Sequence, residues 1–561
     1  MVMMDNLEEK SGFNATNAVT EYYKNLSKKD TRPNILILMT DQQRYDTIKA
    51  HGYPHMYTPN LDKLAAISEN YTNAYTPNPI CCPARHNFIT GVSSKYHGIA
   101  DNDFAARLCP DIPVFPRLLS HSGYQTAAIG KMHFQPMREH HGFERLKLME
   151  EVPEYREDDD YAMFLKENGY GNVLNIHGVR NLLYMLPQRS VLPKHLHGTK
   201  WVADEGISFL EENSGKRPFL LYLSWIAPHP PFNAVEDYAE MYKGQDIPMP
   251  AKSETSLSEL SEENKLLGDL PTDEYIRRMR EVYYGMISHV DEHVGRVIDK
   301  LDEIGQLDNT IIFFTTDHGE MLGDHGLYQK WLPYDAATRI PFMVKYPKGI
   351  EPAVCEKDHV DLNDIFPTVL DIAGVDFEPP YPLMGESLIS EDKKKNREIQ
   401  YVSYSQSNRR WCSLTDQKYK YNYYYGGGRE ELFDLRNDPH ETTNLLEKNR
   451  QEFDTVAEFY RKELVKQEIE HWDEDYIDDD GTFKVLSEYT PNPNRNIARP
   501  QYPKHLVHSD EISEQNNFVD EVIEAMKDES VVKAKELDYK AWAKNLDISD
   551  DELNKVLMLG E

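Results

Sequence analysis

The sequence predicts an α/β fold in which helices flank a large, mostly parallel central sheet, and three observations support this. Residues 34–39 and 310–314 are continuous apolar runs of strand length, as expected for strands buried on both faces. Residues 218–225 form a third run of this kind between them. Residues 272–301 carry apolar side chains at helical spacing, which indicates a long amphipathic helix packed against the sheet.

Acidic residues follow two of these predicted strands. Asp41 comes shortly after the first apolar run, and Asp317 and His318 follow the last one. Parallel strands end at a common edge where α/β sheets bind ligands, so we expect these side chains to lie close together. Carboxylates with an imidazole suit Ca²⁺, Mn²⁺ or Mg²⁺. The alternative is that each aspartate caps the helix after its strand, but the matched pair favours a metal site.

The composition of the chain argues against some classes of function. The chain has 561 residues, enough for one large domain and a smaller one. Lys and Arg number 62 against 95 Asp and Glu, giving a net charge of -33, which argues against a nucleic-acid binder or a protein of anionic membrane surfaces. The five cysteines are scattered and odd in number, which suggests reduced thiols. A polar amino end and no apolar run of membrane-spanning length predict a cytoplasmic protein.

One short motif carries most of the functional information. Residues 81–85 read Cys-Cys-Pro-Ala-Arg, which resembles the C-x-P-[S/A]-R maturation signature of the sulfatases. In that signature the cysteine is oxidised after synthesis to formylglycine. The spacing selects Cys81 as the modified residue and leaves Cys82 as the variable position. The resemblance implies a formylglycine-generating maturation enzyme as a partner. From the motif alone, a buried structural pair of cysteines is an equal alternative.

The resemblance extends from about residue 33 to residue 446, with the motifs in family order, to the sulfatase branch of the alkaline phosphatase superfamily. It implies an alkaline-phosphatase-like fold and one divalent metal ion, with Ca²⁺ favoured over Mn²⁺ or Mg²⁺. Gln42 stands where many relatives carry a second aspartate. The metal ligands implied by the family are Asp41, Gln42, Cys81 through its formylglycine oxygen, Asp317 and His318.

The family motifs also imply roles for other side chains. Lys131, Lys330 and Arg85 would neutralise the charge of a sulfate ester. His229 would protonate the leaving alkoxide, and His133 would position or deprotonate the formylglycine hydrate. The implied catalytic residues are Cys81, Arg85, Lys131, His133, His229 and Lys330, and the implied substrate-binding residues are Asn102, Lys131, His229 and Lys330.

We predict four segments along the chain. These are an N-terminal extension (1–32), a catalytic domain (33–390), a smaller C-terminal α+β subdomain with an antiparallel sheet (391–465), and an acidic, partly helical tail (466–561). A charge run at 391–397 suggests the second boundary. The tail could pack on the core or form a homo-oligomer contact.

These observations predict a sulfuric ester hydrolase that cleaves a small-molecule or saccharide sulfate monoester into sulfate and an alcohol. One alternative is a phosphonate monoester or phosphodiester hydrolase with the same nucleophile, but residues 130–134 favour sulfate. Together with residues 141–144, that segment looks most like the choline-sulfatase-like group. The other alternative is a metal-binding pseudoenzyme in which Cys81 is never oxidised.

Overall fold

A computed structural model describes residues 30–491 except 104–105, 154, 172, 174, 179–183, 186, 214, 266–271, 352–358 and 391–396. The predicted N-terminal extension up to residue 29, nearly all of the predicted boundary charge run, and the tail from residue 492 lie outside the described residues.

The strands alternate with helices over most of the chain, as the sequence predicts. The strands are β1 (Asn34–Asp41), β2 (Glu69–Asn70), β3 (Ala74–Tyr75), β4 (Gln125–Gly130), β5 (Arg145–Leu148), β6 (Pro187–Arg189), β7 (Phe219–Pro228), β8 (Phe232–Ala234), β9 (Thr310–Thr316), β10 (Phe342–Lys345), β11 (Val360–Asp361), β12 (Gln400–Tyr404), β13 (Trp411–Thr415), β14 (Tyr419–Tyr424) and β15 (Arg429–Asp434). The α-helices are α1 (Pro59–Ala65), α2 (Cys81–Thr90), α3 (Ser94–His97), α4 (Phe115–His121), α5 (Asp160–Leu165), α6 (Gly198–Asn213), α7 (Glu236–Glu240), α8 (Asp273–Glu303), α9 (Asp335–Thr338), α10 (Ile365–Ala373) and α11 (Leu445–His471).

The central sheet is mixed but mostly parallel, which confirms the predicted fold class. Its strand order is β2-β10-β9-β1-β7-β4-β5. The five strands from β9 to β5 run parallel, and β10 and β2 pair antiparallel at one edge. The three apolar runs recognised in the sequence are β1, β7 and β9, and they lie side by side in the middle of the sheet.

Helices cover both faces of the central sheet. Successive side chains of β1 point to opposite faces, so the strand contributes to an apolar cluster on each side. Leu36 and Leu38 pack in one apolar cluster, which includes residues of α6 and α8. Ile35 and Ile37 pack in a second cluster, which includes residues of α2, α4 and α10. Every residue of β1 is buried, which explains why this strand is apolar without alternation.

The predicted amphipathic helix at 272–301 is confirmed as α8. Thr272 caps its N-terminus, since its side chain accepts a hydrogen bond from the backbone N–H of Tyr275. Its apolar stripe packs on the sheet and on α6. This helix therefore closes one face of the central sheet.

Strands β12 to β15 form a separate four-stranded antiparallel sheet, as predicted for the C-terminal subdomain. Helix α11 packs on one face of it, with Tyr460 and Leu464 among the buried contacts. The helix continues through the predicted boundary at residue 465 and ends at His471. The division of the chain into four segments stays a prediction. Among the described residues, no helix is both long and apolar enough to cross a membrane.

Candidate active site

The candidate site lies at the carboxyl edge of the central sheet, where four neighbouring strands end. Asp41 is the last residue of β1, and Asp317 directly follows β9. Lys131 follows β4, and His229 follows β7. Since these strands are adjacent and parallel, the residues after them converge on one spot, as expected for α/β sheets.

Four side chains can hold a metal ion here. Donor atoms of Asp41, Cys81, Asp317 and His318 all lie within 4.8 Å of one another, and all four residues are fully buried. His318 Nδ1 lies 3.0 Å from the carbonyl oxygen of Gly319, so its Nε2 is directed at the cluster. Two carboxylates and an oriented imidazole fit a divalent cation. The structure thus brings together the predicted metal ligands.

Gln42, the fifth predicted ligand, lies beside this cluster with every polar group engaged. Its backbone N–H donates to Asp317 Oδ1 at 3.1 Å, and its carbonyl oxygen accepts from the Tyr283 hydroxyl at 2.7 Å. Its side-chain Oε1 accepts from Lys330 Nζ at 2.7 Å. The residue has a positive φ of 63°, which turns the chain sharply after β1.

The Cys81 thiol is surrounded by cationic groups. Its Sγ lies 2.9 Å from Lys330 Nζ, 3.8 Å from Lys131 Nζ and 3.2 Å from His318 Nε2. Burial by itself raises the pKa of the Cys81 thiol, but Lys131 and Lys330 outweigh burial, and the pKa falls well below its ordinary value. Cys81 is also the first residue of α2, and the N-terminus of a helix attracts negative charge. The site therefore favours negative charge at this position.

Cys82 lies in a different environment from its neighbour. Burial, followed by the nearby Cys81, raises the pKa of the Cys82 thiol. Its backbone N–H donates to Asn102 Oδ1 at 3.0 Å, which places Asn102 at the start of α2 next to the candidate nucleophile. The four described cysteines, including Cys109 and Cys412, form no disulfide with one another.

Arg85 holds the acidic side of the site in place. It donates to Asp317 Oδ2 at 3.0 Å and to Asp41 Oδ2 at 3.1 Å, and its other nitrogen binds the Lys131 carbonyl at 2.8 Å. Burial by itself raises the pKa of the Asp41 carboxyl, but Lys131 and Arg85 are among the cations that outweigh it, and the pKa falls to about 2. The carboxylate is therefore ionised.

Lys131 and His229 share an acidic partner that the sequence analysis missed. Lys131 Nζ lies 2.5 Å from Asp41 Oδ2 and 2.7 Å from Glu151 Oε2. His229 Nε2 lies 3.4 Å from the same Glu151 oxygen and 3.0 Å from Lys330 Nζ. Burial lowers the pKa of the His229 imidazole, and Glu151 opposes that effect.

His133 enters the site on a strained turn after β4. It has a positive φ of 57°, and its side chain reaches Cys81, where it contributes to the lowered pKa of the thiol. Glu150 Oε1 accepts from the backbone N–H groups of Met132 and His133 at 2.8 Å and 2.9 Å. The backbone of this segment is thereby held by the residue next to Glu151.

The structure brings all the predicted site residues to this edge and adds three glutamates, Glu150, Glu151 and Glu320. Glu150 and Glu151 follow β5 with one residue between, so the rule that identified Asp41 applied to them as well. β5 is only four residues long and alternates in burial, so its apolar signal is weak. Glu320 lies two residues after His318 and is fully buried. Nothing in the sequence distinguishes it from a surface glutamate.

The fold is alkaline-phosphatase-like: helices flank a large, mostly parallel central sheet, and a smaller antiparallel sheet lies toward the carboxyl end of the chain. A solved structure of the phosphonate monoester hydrolase of Agrobacterium radiobacter superposes with a TM-score of 0.67 at 24% identity. The match covers 80% of this chain and 98% of that one. At this identity, the likeness shows a shared fold.

Sequence comparison identifies the family. The family model described as Sulfatase matches residues 33–375, and that of the C-terminal part of N-sulphoglucosamine sulphohydrolase matches residues 323–470. An arylsulfatase of Clostridium perfringens is 32% identical, with 81% of this chain and 98% of the relative covered. A choline-sulfatase of Rhizobium meliloti is 30% identical, with 80% and 88% covered. The chain belongs to the sulfatase family and is a sulfuric ester hydrolase.

Proposed function

We propose that this enzyme cleaves a sulfate monoester with a formylglycine derived from Cys81 as the nucleophile. The observation that carries the proposal is the position of Cys81 Sγ, which lies among the metal-ligand atoms and between two buried lysines. Nearby lysines and a metal ion stabilise negative charge, which a nucleophile requires and a structural cysteine does not.

Two groups would supply chemistry that the unmodified chain lacks. A divalent cation held by Asp41, Gln42, Asp317, His318 and residue 81 would act as a Lewis acid and lower the pKa of a bound hydroxyl. Formylglycine hydrate would supply one hydroxyl to attack sulfur and a second whose loss of a proton expels sulfate. We favour Ca²⁺ because most of the donors are oxygen atoms.

The basic side chains would balance the charge of the sulfate. Lys330 and Lys131 flank residue 81 and can reach oxygens of a bound sulfate without moving far. Both are fully buried or nearly so, which strengthens their electrostatic effect. Arg85 donates to Asp41, Asp317, the Lys131 carbonyl oxygen and the hydroxyls of Tyr222 and Ser224, so we assign it to holding the carboxylates rather than to the substrate.

His229 would protonate the leaving oxygen. Its Nδ1 lies 2.5 Å from the Pro230 carbonyl oxygen, which fixes the ring and directs Nε2 toward Lys330 and Glu151. The lowered pKa of the imidazole makes its protonated form a stronger acid toward an alkoxide. His133 lies on the other side of residue 81, where it would position the hydrate.

The substrate class is a sulfate ester of a small molecule or a saccharide. The names of the arylsulfatase and choline-sulfatase relatives support sulfate. The alternative reaction, on a phosphonate monoester, would use the same nucleophile and metal ion. Unpaired thiols among the described cysteines support a reducing compartment such as the cytoplasm.

The decisive experiment is peptide mass spectrometry after co-expression with a formylglycine-generating enzyme. We expect the aldehyde, trapped by a hydrazide, on Cys81 and a plain thiol on Cys82. Cys81→Ala should abolish turnover, and Cys82→Ala serves as the matched control that keeps most of it. A fully active protein with a thiol at residue 81 would refute the proposed nucleophile.

A second experiment compares substrates. We expect a panel of aryl, alkyl and saccharide sulfates to give higher kcat/KM than a phosphonate monoester with the same leaving group. The reverse order would favour the phosphonate hydrolase. A protein that keeps a thiol at Cys81 after this co-expression, binds a metal ion and turns over no ester would favour the pseudoenzyme.

A further inference from the structure

Glu320 contacts the side chain of Gln42 at the back of the metal-ligand cluster. Gln42 Nε2 donates a hydrogen bond to Glu320 Oε2, and both residues are fully buried. The other end of the amide, Gln42 Oε1, accepts from Lys330 Nζ at 2.7 Å. The amide therefore lies between a buried carboxylate and a buried ammonium group.

The Glu320 carboxylate is itself fixed. Its Oε1 accepts from the backbone N–H groups of Leu322 at 3.0 Å and Gln329 at 2.5 Å. Both oxygens of the Glu320 carboxyl group thus accept hydrogen bonds, and the NH₂ side of the Gln42 amide faces it. The carbonyl oxygen of that amide must then point away from Glu320, toward Lys330 and the site.

We infer that Glu320 is a positioning residue that directs the carbonyl oxygen of Gln42 toward the metal site. This inference rests on the metal site of the proposed function. A buried amide can rotate by half a turn with little change in shape, so its orientation depends on what each end meets. Glu320 fixes one end and thereby the other.

The single substitution Glu320→Gln tests this orientation. The new side chain keeps its oxygen on the two backbone N–H groups and turns its own NH₂ toward Gln42. Gln42 must then rotate and present its NH₂ to Lys330 and the metal. We expect the dissociation constants of Ca²⁺ and Mn²⁺, measured by isothermal titration calorimetry, to rise roughly tenfold or more.

A reciprocal exchange gives the sharper test. Gln42→Glu alone places two buried carboxylates against each other, so we expect weakened binding and a lower melting temperature. The double variant Gln42→Glu with Glu320→Gln restores a donor facing an acceptor at each contact and moves the charge to position 42. We expect its dissociation constants to return to within about threefold of the parent, a coupling that independent residues do not show.

The neighbouring Gln43 provides a matched control. Its amide is also fully buried but bonds to the hydroxyls of Thr40 and Thr47. Gln43→Glu combined with Glu320→Gln should therefore give no rescue. A Glu320→Gln variant that binds both ions like the parent would overturn the inference. So would a folded double variant no better than the single ones.

Two further readouts keep the test independent of the reaction. The melting temperatures with and without Ca²⁺ show which variants fold. If the single variants do not fold, we expect the double variant to recover folding. A double variant that also fails to fold contradicts the pairing. A parent protein that binds neither ion would contradict the proposed metal site. A parent protein that binds the ions, with a double variant that does not recover their binding, would contradict only the role of Glu320.

Discussion

Two adjacent cysteines show how much a side chain's chemistry depends on position. Cys81 has Lys330 Nζ at 2.9 Å and a lowered thiol pKa. Cys82 is equally buried, but its Sγ lies 3.6 Å from the His133 carbonyl oxygen, and burial, followed by the nearby Cys81, raises its thiol pKa. The helix that begins at Cys81 directs the two side chains to different sides. One residue can therefore be reactive and the next inert.

The roles of His229 and Lys330 can be separated at this scale. Because His229 would give its proton to the leaving oxygen, His229→Ala should slow esters of poor leaving groups by roughly a hundredfold or more and activated aryl sulfates far less. Lys330→Ala should weaken both classes by similar factors, since it addresses sulfate oxygens common to them. The measurement is kcat/KM over a series of leaving-group pKa values.

Each variant is the other's control in that series. A leaving-group dependence in His229→Ala as shallow as in the parent enzyme would mean that the proton comes from another group. Lys330, 3.0 Å from His229 Nε2, is then the first candidate.

The position of Lys131 is set by a close contact between the neighbouring strands β4 and β7. Its backbone N–H donates to the Ser224 carbonyl of β7 at 2.9 Å, and the preceding Gly130 ends β4 with a positive φ of 104°. A Cβ at Gly130 would lie 1.9 Å from the Ser224 carbonyl oxygen. Only glycine allows this approach, so the identity of residue 130 is restricted by the same contact that places Lys131.

Gly130→Ala should therefore reduce stability and displace Lys131. We expect a loss above roughly 3 kcal/mol in the free energy of unfolding, since backbone atoms must move, with a large fall in kcat/KM. Gly98→Ala is the matched control, because Gly98 also has a positive φ, 77°, but open space around its Cβ position. It should lose only about 1 kcal/mol. Equal losses in urea unfolding would show that the backbone conformation alone sets the cost.

The C-terminal subdomain is coupled to the catalytic region by buried polar contacts. Trp411 Nε1 of β13 donates to the carbonyl oxygen of Trp331, the residue after Lys330, at 2.7 Å. Lys420 of β14 lies 2.8 Å from Asp335 and 3.0 Å from Glu441, and all three are buried. The antiparallel sheet thus supports the loop that carries Lys330.

Lys420→Met should destabilise the whole molecule. The change removes the ammonium group that Asp335 and Glu441 share and leaves Asp335 with Arg339 at 3.7 Å, so we expect a loss of about 3 kcal/mol. We expect a lower melting temperature and a matching loss of folded protein by calorimetry. Lys418→Met, two residues away and exposed, should change little. A Lys420→Met protein as stable as the parent would show that the subdomain contributes little to the stability of the rest.

A second global prediction concerns pH. Asp291 of α8 accepts from the backbone N–H of Leu61 at 2.7 Å and from Asn60, which ties α8 to α1. Burial raises the pKa of this carboxyl to about 6. Between about pH 4 and 6 the unfolded chain releases this proton and the folded chain keeps it, so stability contributed by this group falls as pH rises.

Asp291→Asn removes that titration. The quantity to follow is the free energy of unfolding of the parent minus that of Asp291→Asn. We expect this difference to fall by at most about 3 kcal/mol between pH 4 and pH 6.5 and to stay constant at higher pH. Urea unfolding of both proteins at several pH values measures the difference. A constant difference over this range would mean that Asp291 keeps its ordinary pKa in the folded state.

The sequence by itself determined the central strands and the residues at their ends. Apolar runs buried on both faces need no knowledge of their partners, because burial on two sides makes every position apolar. For the same reason Asp41 and Asp317 could be assigned to one edge: parallel strands end together. The motif around Cys81 is also local, so its resemblance to the sulfatases was readable from five residues.

The side chains that contact these site residues are known only from the tertiary structure. Glu151 reaches Lys131 and His229 across the edge of the sheet, and Glu320 reaches Gln42 from the loop after β9, 278 positions away along the chain. Neither contact has a local pattern, because a glutamate after a strand resembles a solvated one in sequence. The charge around Cys81 is likewise a sum over Lys131, Lys330 and His318, and their distances exist only once the strands have paired.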